Sequence, residues 1–133
     1  MIVNGDKSGL ETQSKRLHQT SGEYIFGSPI DDQTRCKHYH SATDIIAIRF
    51  KCCAQYYPCI YCHEESANHA PEVWRAEDEQ QKAVLCGHCG LALTIQEYLS
   101  AKNQCPGCQS FFNPHCRQHY HYYFERSLFS DPG

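Results

Sequence analysis

Cys86-Gly-His-Cys89 and Cys105-Pro-Gly-Cys108 stand fifteen residues apart in this chain. Each is a hook of two thiols around two intervening residues, and two such hooks at this separation have the form of a four-thiolate zinc site. Zn²⁺ favours soft, closely held donors, and a tight turn lets each hook present two sulfurs to one ion. Gly87, Gly90, Pro106 and Gly107 ease those turns. A site closed by four thiolates keeps no position for a substrate, so its expected role is structural. Four reduced core cysteines or two disulfides are the plainer readings, and the spacing favours the metal.

A second, less regular run of donors lies upstream: Cys36 and His38, the pair Cys52-Cys53, the hook Cys59-Ile-Tyr-Cys62 with His63 after it, and His69. These eight donors suit two tetrahedral ions. How they divide is open. Neighbouring side chains of an extended strand point to opposite faces, which sends Cys52 and Cys53 to different ions. If the chain turns there, both converge on one ion with His63 and His69, leaving Cys36, His38, Cys59 and Cys62 for the other. Cys116, His119 and His121 have hook-like spacing but lack a full set of partners, and a core cysteine with aromatic-packed histidines is the plainer reading. His18, His40 and His88 read as surface histidines.

These donors need short elements to position them. Tyr24-Ile-Phe-Gly27 reads as a strand closed by Ser28-Pro29, just ahead of Cys36. From Asp44 to Lys51, Ile46, Ile48 and Phe50 share a face, giving a strand that delivers Cys52 and Cys53 at its end. Tyr56-Tyr57-Pro58 reads as a turn into the Cys59 hook. A short helix is expected over His63 to His69, stopped before Pro71. Residues six apart lie far round a helix, so His63 and His69 meet one ion only if it ends early or bends. Residues 72–84, which carry the only tryptophan, Trp74, read as an acidic connector between an amino-terminal two-zinc cluster (36–69) and a carboxy-terminal four-cysteine site (86–108). Thr94-Ile-Gln-Glu97 is a capping box that opens a short helix with Ile95, Tyr98 and Leu99 inward. Tyr120 to Phe124 reads as a closing strand. One domain over 23–125, between flexible tails 1–22 and 126–133, is the expected organisation.

Composition agrees with a metal-organised fold. Only 41% of the 133 residues are apolar, and that figure includes ten cysteines. Small domains short of apolar core are commonly held by metals or disulfides, and the nine histidines favour metal, since disulfide frameworks have no use for imidazole. The net charge is −3. Nine thiolates against three divalent ions move it to roughly −6, a poor footing for phosphate-driven nucleic-acid binding. No basic region followed by a long apolar stretch opens the sequence, and no run is long enough to span a bilayer. Thiols kept free for metal point to a reducing, cytoplasmic setting.

The run Cys36-Lys-His38-Tyr39, with Cys52-Cys53, Cys59-x2-Cys62-His63 and His69, resembles the CHY-type zinc finger found at the amino end of CHY–RING ubiquitin ligases. Asp31 to Cys36, Asp44 to Phe50, and Phe112-Asn-Pro114 through His119-Tyr-His121 resemble the small stand-alone branch, which includes the fungal helper of Tim protein and short bacterial CHY proteins. The resemblance spans about residues 24–125. It implies three zinc ions on Cys36, His38, Cys52, Cys53, Cys59, Cys62, His63, His69, Cys86, Cys89, Cys105 and Cys108. No RING set of eight alternating ligands follows, so ligase activity is not expected. The fungal helper is associated with the mitochondrial intermembrane space, where it keeps a disulfide-relay oxidoreductase free of zinc.

The expectation is therefore a small, metal-stabilised, mostly irregular α+β fold with short strands and one or two short helices around three zincs. Its expected work is interaction with a protein partner or zinc handling, as a monomer, without a catalytic residue, nucleic acid or membrane. Thiol–disulfide chemistry at either Cys-x2-Cys hook is the rival, although the strand–helix alternation of thioredoxin-like proteins is missing around them. A zinc hydrolase is not expected, since no His-Glu-x2-His helix is present.

Overall fold

The computed structural model describes residues 15–113 and 119–128. Its centre is strand β3 (Ile46–Arg49), where β-branched Ile46 and Ile48 favour an extended chain. Beside it runs β5 (Lys82–Cys86), antiparallel, with Ile46 opposite Cys86, Ala47 opposite Leu85 and Ile48 opposite Val84. The full sheet has six short strands in the order β1-β2-β4-β3-β5-β6. The remaining strands are β1 (Lys15–Leu17), β2 (Tyr24–Phe26), β4 (Tyr56–Tyr57) and β6 (Ala92–Thr94). All neighbours are antiparallel except β2 and β4, which run parallel through Ile25 and Tyr56.

Alternation along the central strands buries both faces. Ile48, Tyr57, Val84, Cys86 and Leu93 enter the main core with Phe50, Trp74, Ile95, Tyr98, Phe112 and Phe124. Ile25, Ala47, Tyr56 and Leu85 form a smaller cluster, and their register puts them on the opposite face. Helix α1 (Ile60–Ser66) and helix α2 (Ile95–Ser100) flank the sheet. In α2 the capping box is formed: the Thr94 hydroxyl accepts from the Glu97 N–H, and the Glu97 carboxylate accepts from the Thr94 N–H.

Several expectations need correction. Lys15–Leu17 pairs with Tyr24–Phe26, so order begins well inside the segment read as a tail, and His18 is buried, not on the surface. Tyr56–Tyr57 is a strand; the tight turn lies before it, where the Ala54 N–H donates to the Phe50 carbonyl at 2.7 Å. The stretch read as a connector contributes sheet and core. Trp74 is buried, its indole N–H donates to the Arg49 carbonyl at 2.7 Å, and β5 begins at Lys82. Residues 119–122 wind as a 3₁₀ turn instead of a strand, and Phe124 makes one bridge to Trp74. A further 3₁₀ turn at Arg126–Leu128 carries order past residue 125. Residues 1–14 and 129–133 of the expected tails, and Cys116, lie outside the described residues.

Candidate metal centres

The fold gathers the twelve donors into three quartets, the ligand atoms of each lying within 4.8 Å of one another: Cys36, His38, Cys59, Cys62; Cys52, Cys53, His63, His69; and Cys86, Cys89, Cys105, Cys108. Around a tetrahedral zinc, two sulfurs stand about 3.8 Å apart, sulfur and nitrogen about 3.5 Å, and two nitrogens about 3.3 Å. The observed edges match. In the first quartet Cys36 Sγ and Cys59 Sγ are 3.8 Å apart, and His38 Nδ1 is 3.7, 3.4 and 3.5 Å from Cys36, Cys59 and Cys62. In the second, Cys52 Sγ is 3.9 Å from Cys53 Sγ and 3.3 Å from His63 Nε2, which is 3.2 Å from His69 Nε2. In the third, Cys86 to Cys108 is 3.8 Å and Cys89 to Cys105 is 3.7 Å. Sulfur–sulfur separations of this size are not disulfide bonds, and the nine described cysteines are free thiols.

Helix α1 explains the division between the first two quartets. It begins at the hook itself, three residues earlier than expected, because the Cys59 sulfur accepts from the Cys62 N–H at 3.4 Å and acts as the helix cap. Cys62 and His63 then diverge around the helix and join different quartets. The helix stops at Ser66 and Ala67 is extended, so the chain doubles back and His69 meets His63. Early termination was the condition for these two histidines to share an ion. Cys52 and Cys53 sit in the turn after β3 and converge, which selects the second of the two divisions open in the sequence.

The third quartet is anchored on the sheet. Cys86 ends β5 opposite Ile46, whereas Cys52 follows the other end of β3, so the second and third quartets lie beyond opposite ends of one strand. The Cys105 sulfur accepts from the Gly107 N–H at 3.3 Å, and the Cys36 sulfur from the Tyr39 N–H at 3.4 Å.

Electrostatics favours a cation in these clusters. The thiols of Cys59 and then Cys62 donate to Cys36 and pull its thiol down to about 2, while contact with Cys36 pushes both partners up, Cys62 to about 12. Three crowded sulfurs cannot all ionise alone; a divalent ion lets each become a thiolate. Burial, then the charge of His69, holds His63 down to about 4, so its lone pair is free near neutrality. Cysteine and imidazole donors in a tetrahedron select zinc among common ions.

Two contributors carried no signal in the sequence. Glu65 accepts from His38 Nε2 at 3.1 Å and also pairs with Lys37, fixing the imidazole whose Nδ1 faces the first quartet. His18 donates from Nε2 to the Gly87 carbonyl inside the Cys86 hook. His40 and His88 are exposed, as expected. His119 and His121 join no quartet and pack against Tyr122, with His119 also against Tyr39. No helix among the described residues is long and apolar enough to cross a membrane.

A family model described as CHY zinc finger matches residues 36–98, covering the first two quartets and the Cys86 hook. Helper of Tim protein 13 of Saccharomyces cerevisiae is 45% identical over 104 residues, spanning 76% of this chain and 90% of the relative. Helper of Tim protein 13 of Kluyveromyces lactis is 45% identical over 100 residues, spanning 75% of this chain and 87% of the relative. The E3 ubiquitin-protein ligase SRFP1 of Oryza sativa subsp. japonica is 30% identical over 96 residues, which is 65% of this chain but 33% of the ligase.

Proposed function

The chain belongs to the CHY zinc finger family, and from that premise we propose that it is a protein-interaction or zinc-handling module whose twelve gathered cysteines and histidines each ligate zinc. One observation carries this reading: every quartet brings four protein donor atoms within 4.8 Å of one another, enough to fill a tetrahedral site without an outside ligand. A closed site stabilises a fold or stores an ion, but leaves no open position at which a substrate or water could be activated. The function is therefore accessory and not catalytic. The likeness to SRFP1 involves a third of that ligase, so ubiquitin transfer is not carried across.

The name of the yeast relatives, helper of Tim, supports a Tim-related protein as partner and the mitochondrial intermembrane space over the cytoplasm as compartment. In that setting the module acts as an accessory factor that keeps a disulfide-relay oxidoreductase zinc-free. The protein works as a monomer through one domain that includes the β1–β2 hairpin and the turn at Arg126–Leu128. Thiol–disulfide catalysis is the weaker reading, since all nine described cysteines are committed to quartets.

Native mass spectrometry of protein purified without added metal tests the assignment. Three zincs on a single chain are expected, and two or fewer would break the twelve-ligand set. Competition with a chromogenic chelator tests handling: zinc that resists release over hours leaves only the structural role.

A further inference from the structure

The three quartets are unequal. The first places three cysteines, all buried, around His38, whose second nitrogen is held by the Glu65 carboxylate. The third supplies four thiolates, with Cys86 and Cys105 fully buried. The second has only two thiolates, from half-buried Cys52 and Cys53, and one of its histidines, His69, is exposed. Its other histidine is buried and stacked on Phe50 at 4.3 Å, yet the second ring nitrogen, Nδ1, has no hydrogen-bond partner among the described residues. A zinc-bound histidine ordinarily donates that N–H to an acceptor, which fixes the ring and raises its basicity. The second nitrogen of His69 meets the side-chain oxygen of its neighbour Asn68 at 3.1 Å, and both residues lie on the chain beyond the end of α1.

We propose that Cys52, Cys53, His63 and His69 form the exchangeable zinc site of this protein and that His69 is the ligand that leaves first, the other two ions being retained as structure. Fewer thiolates, an exposed histidine ligand and an unsupported His63 imidazole each lower the barrier to ligand replacement, and they combine only at this quartet, although Cys89 and Cys108 of the third are half-buried too. In the exchange step the Zn–Nε2 bond of His69 breaks as a bond forms from zinc to a thiolate of the acceptor. The acceptor thiol gives its proton to solvent, zinc stays divalent and four-coordinate, and no electrons are transferred. Stepwise replacement of His63, Cys52 and Cys53 by further acceptor donors then moves the ion. The acceptor is accordingly a zinc-free protein with clustered thiols. This inference rests on the zinc-handling reading above.

The experiment follows zinc-loaded full-length protein in excess 4-(2-pyridylazo)resorcinol, with iodoacetamide labelling mapped by peptide mass spectrometry as each ion departs. Loss of the first ion should free Cys52 and Cys53 for alkylation while the other two quartets stay protected. His69→Ala should speed the first phase about tenfold or more and leave the later phases unchanged. His69→Cys, which supplies a third thiolate and keeps the site closed, should slow it. Glu65→Gln should speed a later phase only. Labelling of Cys36, Cys59 and Cys62, or of the Cys86 quartet, in the two-zinc species would overturn the assignment while leaving zinc handling intact. A first phase indifferent to both His69 variants would overturn it as well. No release from any quartet defeats the handling role and the exchange site with it.

Discussion

His18 and Gly87, 69 residues apart in sequence, are joined by a buried hydrogen bond of 2.7 Å from the imidazole Nε2–H to the Gly87 carbonyl. The other ring nitrogen accepts from the Ser21 N–H at 3.1 Å, so the two partners place the ring N–H on Nε2. The β1–β2 hairpin thereby braces the hook that carries Cys86 and Cys89. His18→Ala should destabilise the zinc-loaded protein by about 1–3 kcal/mol, because the buried Gly87 carbonyl loses its side-chain donor. Denaturant unfolding measures this, and a change within error would mean the brace carries nothing.

Gly27 tests the packing behind the first quartet. It has φ 98°, and a Cβ built there would come within 2.5 Å of Cys62 Cβ. Gly27→Ala should cost on the order of 2 kcal/mol or more and lower zinc occupancy by one ion. Gly22 is the control: its φ is 77°, but nothing lies within 4 Å. Gly22→Ala should cost about 1 kcal/mol with three ions retained, as native mass spectrometry can show.

Stripping the metal should unfold the core rather than merely empty the sites. Cys36, Cys59, Cys62, Cys86 and Cys105 are themselves core residues, and uncompensated thiols cannot hold the same packing. Trp74 is only 5% exposed and is the single tryptophan, which makes it a clean reporter. Its emission should shift to the red on chelation and return on adding zinc. Emission unchanged after complete metal removal would show a fold independent of zinc.

The Lys51 ammonium, 2.7 Å away, and next the Arg75 N–H hold the Asp78 carboxyl below its ordinary value of 3.8. A depressed folded pKa means a contribution fully present above that ordinary value and lost only as pH falls through the folded one. Asp78→Asn should therefore destabilise by a constant offset across about pH 6 to 8, within about 1 kcal/mol for an ion pair at the surface. Molar salt should shrink the offset. An offset that changes with pH inside that window would contradict the sign.

Some of this architecture was legible locally. The α2 capping box needs only Thr94 and Glu97 three residues apart, and the β2 and β3 strands show in a few β-branched and aromatic residues. The helix at the Cys59 hook was misplaced because its cap is Cys59, a residue whose chemistry reads as metal binding. Residues 72–84 read as a connector because their charges dominate the composition, while Trp74 and Val84, both buried, reveal their role only beside Arg49, Phe124 and Ile48.

Sequence alone determined the donor inventory and the family likeness, since cysteine hooks impose short-range geometry and zinc chemistry selects thiol and imidazole. It also pointed to a core organised by metal, because apolar residues are scarce. Only the tertiary structure decided which donors meet. That division depends on where α1 begins and ends and on the turn after β3, neither of which any single residue spacing encodes. The pairing of His18 with Gly87 and of Glu65 with His38 was decided there too, because hydrogen bonds between distant segments exist only once the sheet has brought those segments together.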